Sequence, residues 1–171
     1  MEFTINVSKK DYISFNFYFL YSGLRGVLIF STVILLLLID SWIIYDIIIS
    51  KSMLFSPVRI VAFTITLFYM ILPFTVYQQA SRIYKTDVYL REPQLYKFFD
   101  NSITISSPAS SVTITPDKVF KIIENKKYIL LYIAANKAFI IPKIQIQEQL
   151  NQFKDFIRNI VAKDRIKLRN S

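Results

Sequence analysis

Apolar positions along this chain first run almost unbroken, then alternate, and finally recur every three or four residues. Residues 27–49 are apolar apart from Ser31, Thr32, Asp40, Ser41 and Asp46. At about 1.5 Å per residue, a helix over this run crosses a hydrocarbon core of ~30 Å with some tilt. Residues 60–77 form a second run, interrupted by Thr64, Thr66 and Thr75. Pro73 lies inside it and removes one helix hydrogen bond, which predicts a kink. The first run starts too deep in the chain, is too long and lacks a small-residue cleavage site, so a signal peptide is not expected. Only residues 50–58, with Arg59 at the edge, separate the runs. The expectation is an antiparallel transmembrane hairpin with spans at 27–49 and 60–77.

Ahead of the hairpin, residues 2–7 alternate polar and apolar, as a short strand does. Ser8 and Asp11 have the spacing of a capping box that opens a helix. Tyr12, Phe15, Phe19 and Ser22 follow at helical spacing, with Phe17, Tyr18 and Tyr21 on other faces. An aromatic helix beside a span is expected to lie in the membrane interface, with a cavity for a hydrophobic ligand as the alternative.

From Gln94 the pattern turns to short β-rich runs at 95–99, 103–106, 111–115, 119–123, 128–133 and 138–141. Turn signals separate them, at Asp100 and Asn101, at Pro116, Asp117 and Lys118, at Asn125, and at Asn136. Such spacing predicts an antiparallel meander. The period then changes: Ile146, Leu150, Phe153, Ile157, Ile160 and Val161 make one apolar helix stripe. Three segments result. Residues 1–25 are a strand and an aromatic interfacial helix, residues 26–81 the two-span hairpin, and residues 82–171 an α+β domain. That domain is about six antiparallel strands closed by one amphipathic C-terminal helix, followed by a basic tail of Lys163, Arg165, Lys167 and Arg169.

Charge adds a direction. Residues 1–81 carry a net +1 and residues 82–171 a net +8, together the chain's +9. Lys9, Lys10 and Arg25 precede the first span, and Arg82, Lys85 and Arg91 follow the second, against Lys51 and Arg59 between them. This bias places both termini in the cytoplasm of a multi-pass protein of the inner (cytoplasmic) membrane.

Two aspartates interrupt the first span. Asp46 lies near its outer end with Trp42 and Tyr45, where a carboxylate reaches headgroup water. Asp40 lies about 14 Å deeper than the end of the run. A buried acid there costs about 2.5–3.5 kcal/mol, so it must be neutralised, paired or reached by water. The two are about 240° apart around a helix and form no carboxylate pair. Asp40 is therefore the candidate intramembrane functional residue. The alternative is a shifted span with Trp42 at its outer boundary, which would draw Arg25 towards the bilayer.

Composition narrows the chemistry. Hydrophobic residues make up 53% and aromatics 16%, and mean hydropathy is +0.38. The chain has no cysteine and no histidine, which excludes disulfides, thiolate nucleophiles and the commonest metal ligands. Two glycines, Gly23 and Gly26, cannot build a phosphate-binding loop, and neither G-x-S-x-G nor H-E-x-x-H can be written. A non-enzymatic protein without cofactor or metal is expected. Membrane tethering explains the basicity more economically than nucleic-acid binding.

The stretch YILLYIAANKAFIIPK at 128–143, followed by a helix, resembles the C-terminal domain of YcxB-like proteins. Asp11, Tyr12, Phe15, Asn16, Phe17 and Tyr18 resemble that family's aromatic N-terminal segment before two spans. The resemblance implies a small bacterial membrane protein with a pleckstrin-homology-like β-roll on a membrane hairpin, and implies no known chemistry. Phe19 stands where the family often has histidine, and Pro116 where it has tryptophan, so no role of those side chains carries over.

Three functions fit. The first is a regulatory binding module that recognises a partner protein through the cytosolic domain, such as an immunity or resistance factor against a membrane-active toxin. A free strand edge could accept a partner segment. The second is an anionic-lipid-responsive module, with Lys121, Lys126, Lys127, Lys143 and the basic tail each worth ~1 kcal/mol when well placed. The bland alternative for these cations is a solvated positive face. The third is a homo-oligomeric transporter or channel lined by Asp40.

Overall fold

The computed structural model describes residues 1–50, 56–99, 101–108 and 110–168. Lys51, Asp100 and Arg169 lie outside the described residues. The chain divides into two compact units, Met1–Tyr12 with Ile83–Ser171, and Ile13–Arg82. This differs from the segmentation at 25/26 and 81/82. Strand β1 (Glu2–Ile5) does not stand apart but pairs antiparallel with β2 (Gln94–Phe99). The reason is burial: Phe3 and Ile5 point inward, and the Phe3 ring meets Tyr96, Phe98 and Phe153.

The first unit holds two four-stranded sheets. One has the order β1-β2-β3-β4, with β3 at Ser102–Ser107 and β4 at Ser110–Ile114, all antiparallel. The other has the order β7-β6-β5-β8, from β5 (Lys121–Glu124), β6 (Tyr128–Ala134), β7 (Lys137–Pro142) and β8 (Ile166–Lys167). All six expected strands are present. Along β2 the alternation is visible, with Tyr96 and Phe98 buried and Lys97 and Phe99 exposed. In β6 Tyr128, Ile129, Leu130, Leu131 and Tyr132 are all buried, so both of its faces are covered and its run is continuously apolar.

Helix α5 (Leu150–Ile160) closes the unit with Phe153 and Ile157 buried, and Val161 follows. The ring of Phe153 lies 5.6 Å from Phe3 and 5.3 Å from Phe98. Ile146 is buried too, but in a 3-10 turn at Lys143–Gln149 rather than in the helix. The basic tail is not a free extension. Lys163–Arg165 forms a 3-10 turn, and β8 pairs parallel with β5. Arg165 fixes this strap by donating to the carbonyls of Asp117 and Val119, each at 2.9 Å.

Helix α1 (Lys9–Tyr21) opens with the expected capping box. Ser8 N donates to Asp11 Oδ2 at 3.0 Å, and Asp11 N donates to Ser8 Oγ at 3.2 Å. Gly23, with φ +64°, turns the chain from α1 into α2 (Gly23–Ser50), a conformation that suits a residue without Cβ. A short helix α4 (Val88–Arg91), capped by Asp87, follows α3 (Pro57–Thr86).

Helices α2 and α3 are both long and apolar enough to cross a membrane. Each is covered along one narrow stripe. In α2 it is Gly26, Ile29, Val33, Leu36, Asp40, Ile43 and Ile47; in α3 it is Arg59, Ala62, Thr66, Tyr69, Pro73, Val76 and Ala80. Both step by three and four, the seam spacing of paired helices. Gly26 lies against the backbone carbonyl of Tyr21, where a Cβ would not fit. Outside the stripe, Leu28, Phe30, Leu38, Phe68 and Met70 are among many large apolar side chains left exposed. A core helix of a water-soluble protein would bury them.

Candidate functional site

In the first unit, a groove of about 580 Å³ lies where the β8 strap meets the start of β5. The 3-10 turn Pro116–Lys118 and β5 supply Lys118, Phe120 and Lys121; the strap supplies Arg165 and Lys167. Four cations therefore share the groove with two acids, Asp117 and Asp164. A hydrogen bond from the Thr115 side chain, with Lys118 and Arg165 nearby, holds the Asp117 carboxyl below the usual range, although it is exposed. Lys121 Nζ sits 4.6 Å from the Tyr132 ring centre and 5.7 Å from that of Phe120. Phe120 itself is 50% exposed.

The predicted cations thus separate. Lys121, Arg165 and Lys167 come together at the groove. Lys126 and Lys127 occupy the exposed β5–β6 turn, where Asn125 Oδ1 accepts from Lys127 N at 2.8 Å and from Tyr128 N at 2.7 Å. Lys163 is exposed on its 3-10 turn and does not line the groove. Lys143 lies away from the groove. Its ammonium reaches inward to Glu124 Oε1 at 2.7 Å, and Lys154 Nζ meets Glu124 Oε2 at 2.9 Å.

The Lys143, Glu124 and Lys154 cluster ties α5 and the turn before it to β5. Glu124 and Lys154 are buried, at 6% and 5% exposure. Sequence reasoning missed both, although their signal was present. Glu124 is two residues beyond buried Ile122 on one face of a strand, and Lys154 lies between Phe153 and Ile157 on the apolar stripe. Lys118 and Phe120 were passed over as turn and strand residues.

In the second unit, Asp46 does not simply reach water. Arg59 Nη2 donates to its Oδ2, joining the far end of α2 to the start of α3. Asp40 is 7% exposed on the α2 stripe, and its Oδ1 has no hydrogen-bond partner among the described residues. Six residues inward from each member of the Asp46–Arg59 pair, Asp40 comes level with Ile65, one residue before buried Thr66. The hydroxyl of Thr66 donates instead to Ala62 O at 3.2 Å. Ser31, Ser41, Thr64 and Thr75 likewise bond to carbonyls of their own helices.

Two long apolar helices joined to an α+β body of antiparallel sheets and a closing helix define the class of this molecule. Within it, residues 98–157 match the family model of YcxB-like protein, so the resemblance seen in the sequence holds over that segment. No curated protein and no solved structure matches the chain. The matched segment supplies one wall of the groove, from Asp117 to Ile133, and ends before Asp164, Arg165 and Lys167.

Proposed function

We propose that this chain is a membrane-anchored, non-enzymatic binding module whose groove recognises an acidic segment of a partner protein. In this reading α2 and α3 cross the inner membrane as a hairpin. The positive flanks keep the first unit, a roll compatible with pleckstrin-homology-like architecture, on the cytoplasmic side. The exposed apolar circumference of both helices supports the anchor.

The observation that carries the binding role is the mixed lining of the groove. Lys118, Lys121, Arg165 and Lys167 attract acidic side chains, while Asp117 and Asp164 offer acceptors for amide and cationic donors. Both signs together suit a polypeptide better than a headgroup, which calls for cations alone. The burial of Asp40 in the seam of its own hairpin also favours a binding module over a pore lined by that residue.

The test uses the full-length chain, purified in mild detergent from its own host, beside a Lys118→Glu/Lys121→Glu variant. One stoichiometric protein partner should accompany the parent and be lost from the variant. An unchanged partner would remove the groove from the function. Phe120, exposed between two lysines, supports a second reading in which the groove holds an anionic headgroup. That reading takes over if the parent purifies without a protein partner but with enriched anionic lipid, and the variant loses the lipid.

A further inference from the structure

The two sheets have four outer edges, and three of them are blunted. β1 is four residues long, with Glu2 reaching Lys97 at 3.9 Å. β7 begins at Lys137 and ends at Pro142. β8 is two residues long and ends in Lys167. Short length, lysine, proline and bulges are the devices that keep an edge from pairing. β4 has none of them. Its register with β3 is regular from Ser107↔Ser110 to Ile103↔Ile114, and its other edge pairs with no strand among the described residues. Ser111, Val112 and Thr113 are exposed on it.

The same hairpin is electrically silent. Residues 101–115 hold no charged side chain, within a half of the chain that carries a net +8. Two copies of so positive a body repel over most approaches but not across β3 and β4. An acidic partner would be drawn to the cationic groove instead.

We propose that β4 is the contact between two copies of this chain, paired antiparallel about a twofold axis at Val112. Val112 then faces its counterpart and Ser111 faces Thr113, hydroxyl against hydroxyl, and the first sheet extends from four strands to eight. Because each copy offers a single unprotected edge among the described residues, the pairing closes at a dimer and does not propagate. Confinement of both copies to one bilayer favours the encounter.

The chain has no cysteine, so one introduced thiol reports contact without background. Full-length Val112→Cys, oxidised mildly in membranes, should form a covalent dimer about tenfold more efficiently than Lys126→Cys on the β5–β6 turn of the other sheet. Val112→Lys sets two ammonium groups face to face and should weaken the detergent-solubilised dimer about tenfold by native mass spectrometry. Val112 is exposed, so neither change disturbs the core. Crosslinking no better than the control, crosslinking to a different polypeptide, or a Val112→Lys chain that stays equally dimeric would overturn the proposal.

Discussion

The two units of this chain sort polar and apolar side chains in opposite ways. In the first, Tyr96, Ile129, Leu131, Phe153 and Ile157 are buried, and Lys97, Lys126 and Lys137 face out. In the second, Leu24, Leu38, Phe68 and Met70 face out, while Asp40 and Thr66 are inside. The proposed membrane setting of the second unit accounts for the difference. Against water, hydrophobicity decides which face is hidden. Against lipid tails it decides nothing, and close approach and polar contacts choose the seam. Each interior consequently holds ionisable groups, but on different terms: Glu124 has two lysines and Asp46 has an arginine, while one oxygen of Asp40 has no hydrogen-bond partner among the described residues.

The largest test of that contrast is Glu124→Ala. It leaves Lys143 and Lys154 without their carboxylate and should cost about 3–5 kcal/mol, read from denaturant unfolding of the full chain by tyrosine near-ultraviolet dichroism. A loss below about 1 kcal/mol would mean that the cluster is better hydrated than its burial implies. Replacing Glu124, Lys143 and Lys154 together with leucine should recover most of the loss, because removing all the charges leaves none unpaired.

Asp40→Leu should act in the opposite direction. Removing a buried carboxyl oxygen that lacks a partner should stabilise the hairpin by about 1–3 kcal/mol. Asp46→Leu, which strips Arg59 of its acid, should destabilise it. Hydrogen exchange of α2 and α3 amides in nanodiscs compares the two. If Asp40→Leu loosens the helices instead, the carboxyl has a partner in the membrane that the isolated chain lacks.

These contrasts also explain what could be read from the chain beforehand. The strands were legible because water imposes alternation on a half-buried strand, and 95–99 and 128–133 show the exposed and covered versions of that rule. The two long helices were legible because an apolar run of that length has few other uses. Their seam was not: Leu36 and Leu37 differ in burial but not in type, and the packed stripe emerges only from the folded hairpin. The partner of the first strand was hidden for a related reason. Residues 2–7 announced a strand, but nothing in their alternation names β2, nearly a hundred residues away, as its partner. The tail read as free because β8 is only two residues long, too short to show a period. At the groove, Lys121, Arg165 and Lys167 were individually visible, and only the strap brings them together.

Tyr96 gives a smaller, pH-dependent effect. Burial pushes its phenol well above the usual range, and its OH donates to Gln94 Oε1 at 3.0 Å. With the folded value raised, the contribution is complete below the unfolded value of about 10 and declines as pH rises beyond it. Near neutrality Tyr96→Phe should cost about 1 kcal/mol for the lost hydrogen bond. Above about pH 10 the parent should lose stability relative to this variant by about 1.4 kcal/mol per pH unit, since only its unfolded chain ionises at residue 96. Parallel unfolding series of parent and variant isolate that residue, because every other group titrates in both. Equal slopes would show that the phenol reaches water in the folded state.

The smallest effect belongs to the start of α1. Ser8→Ala removes one half of the capping box and should cost about 1 kcal/mol. Asp11→Ala should cost more, because Asp11 Oδ2 accepts from Ser8 N while Oδ1 accepts from Tyr128 OH at 2.8 Å. The excess of the second loss over the first therefore reads the tie between this helix start and β6. Tyr128→Phe removes that tie alone. If Asp11→Ala still exceeds Ser8→Ala by the same margin in the Tyr128→Phe background, the excess belongs to the cap itself, and the hydroxyl of Tyr128 holds nothing in place.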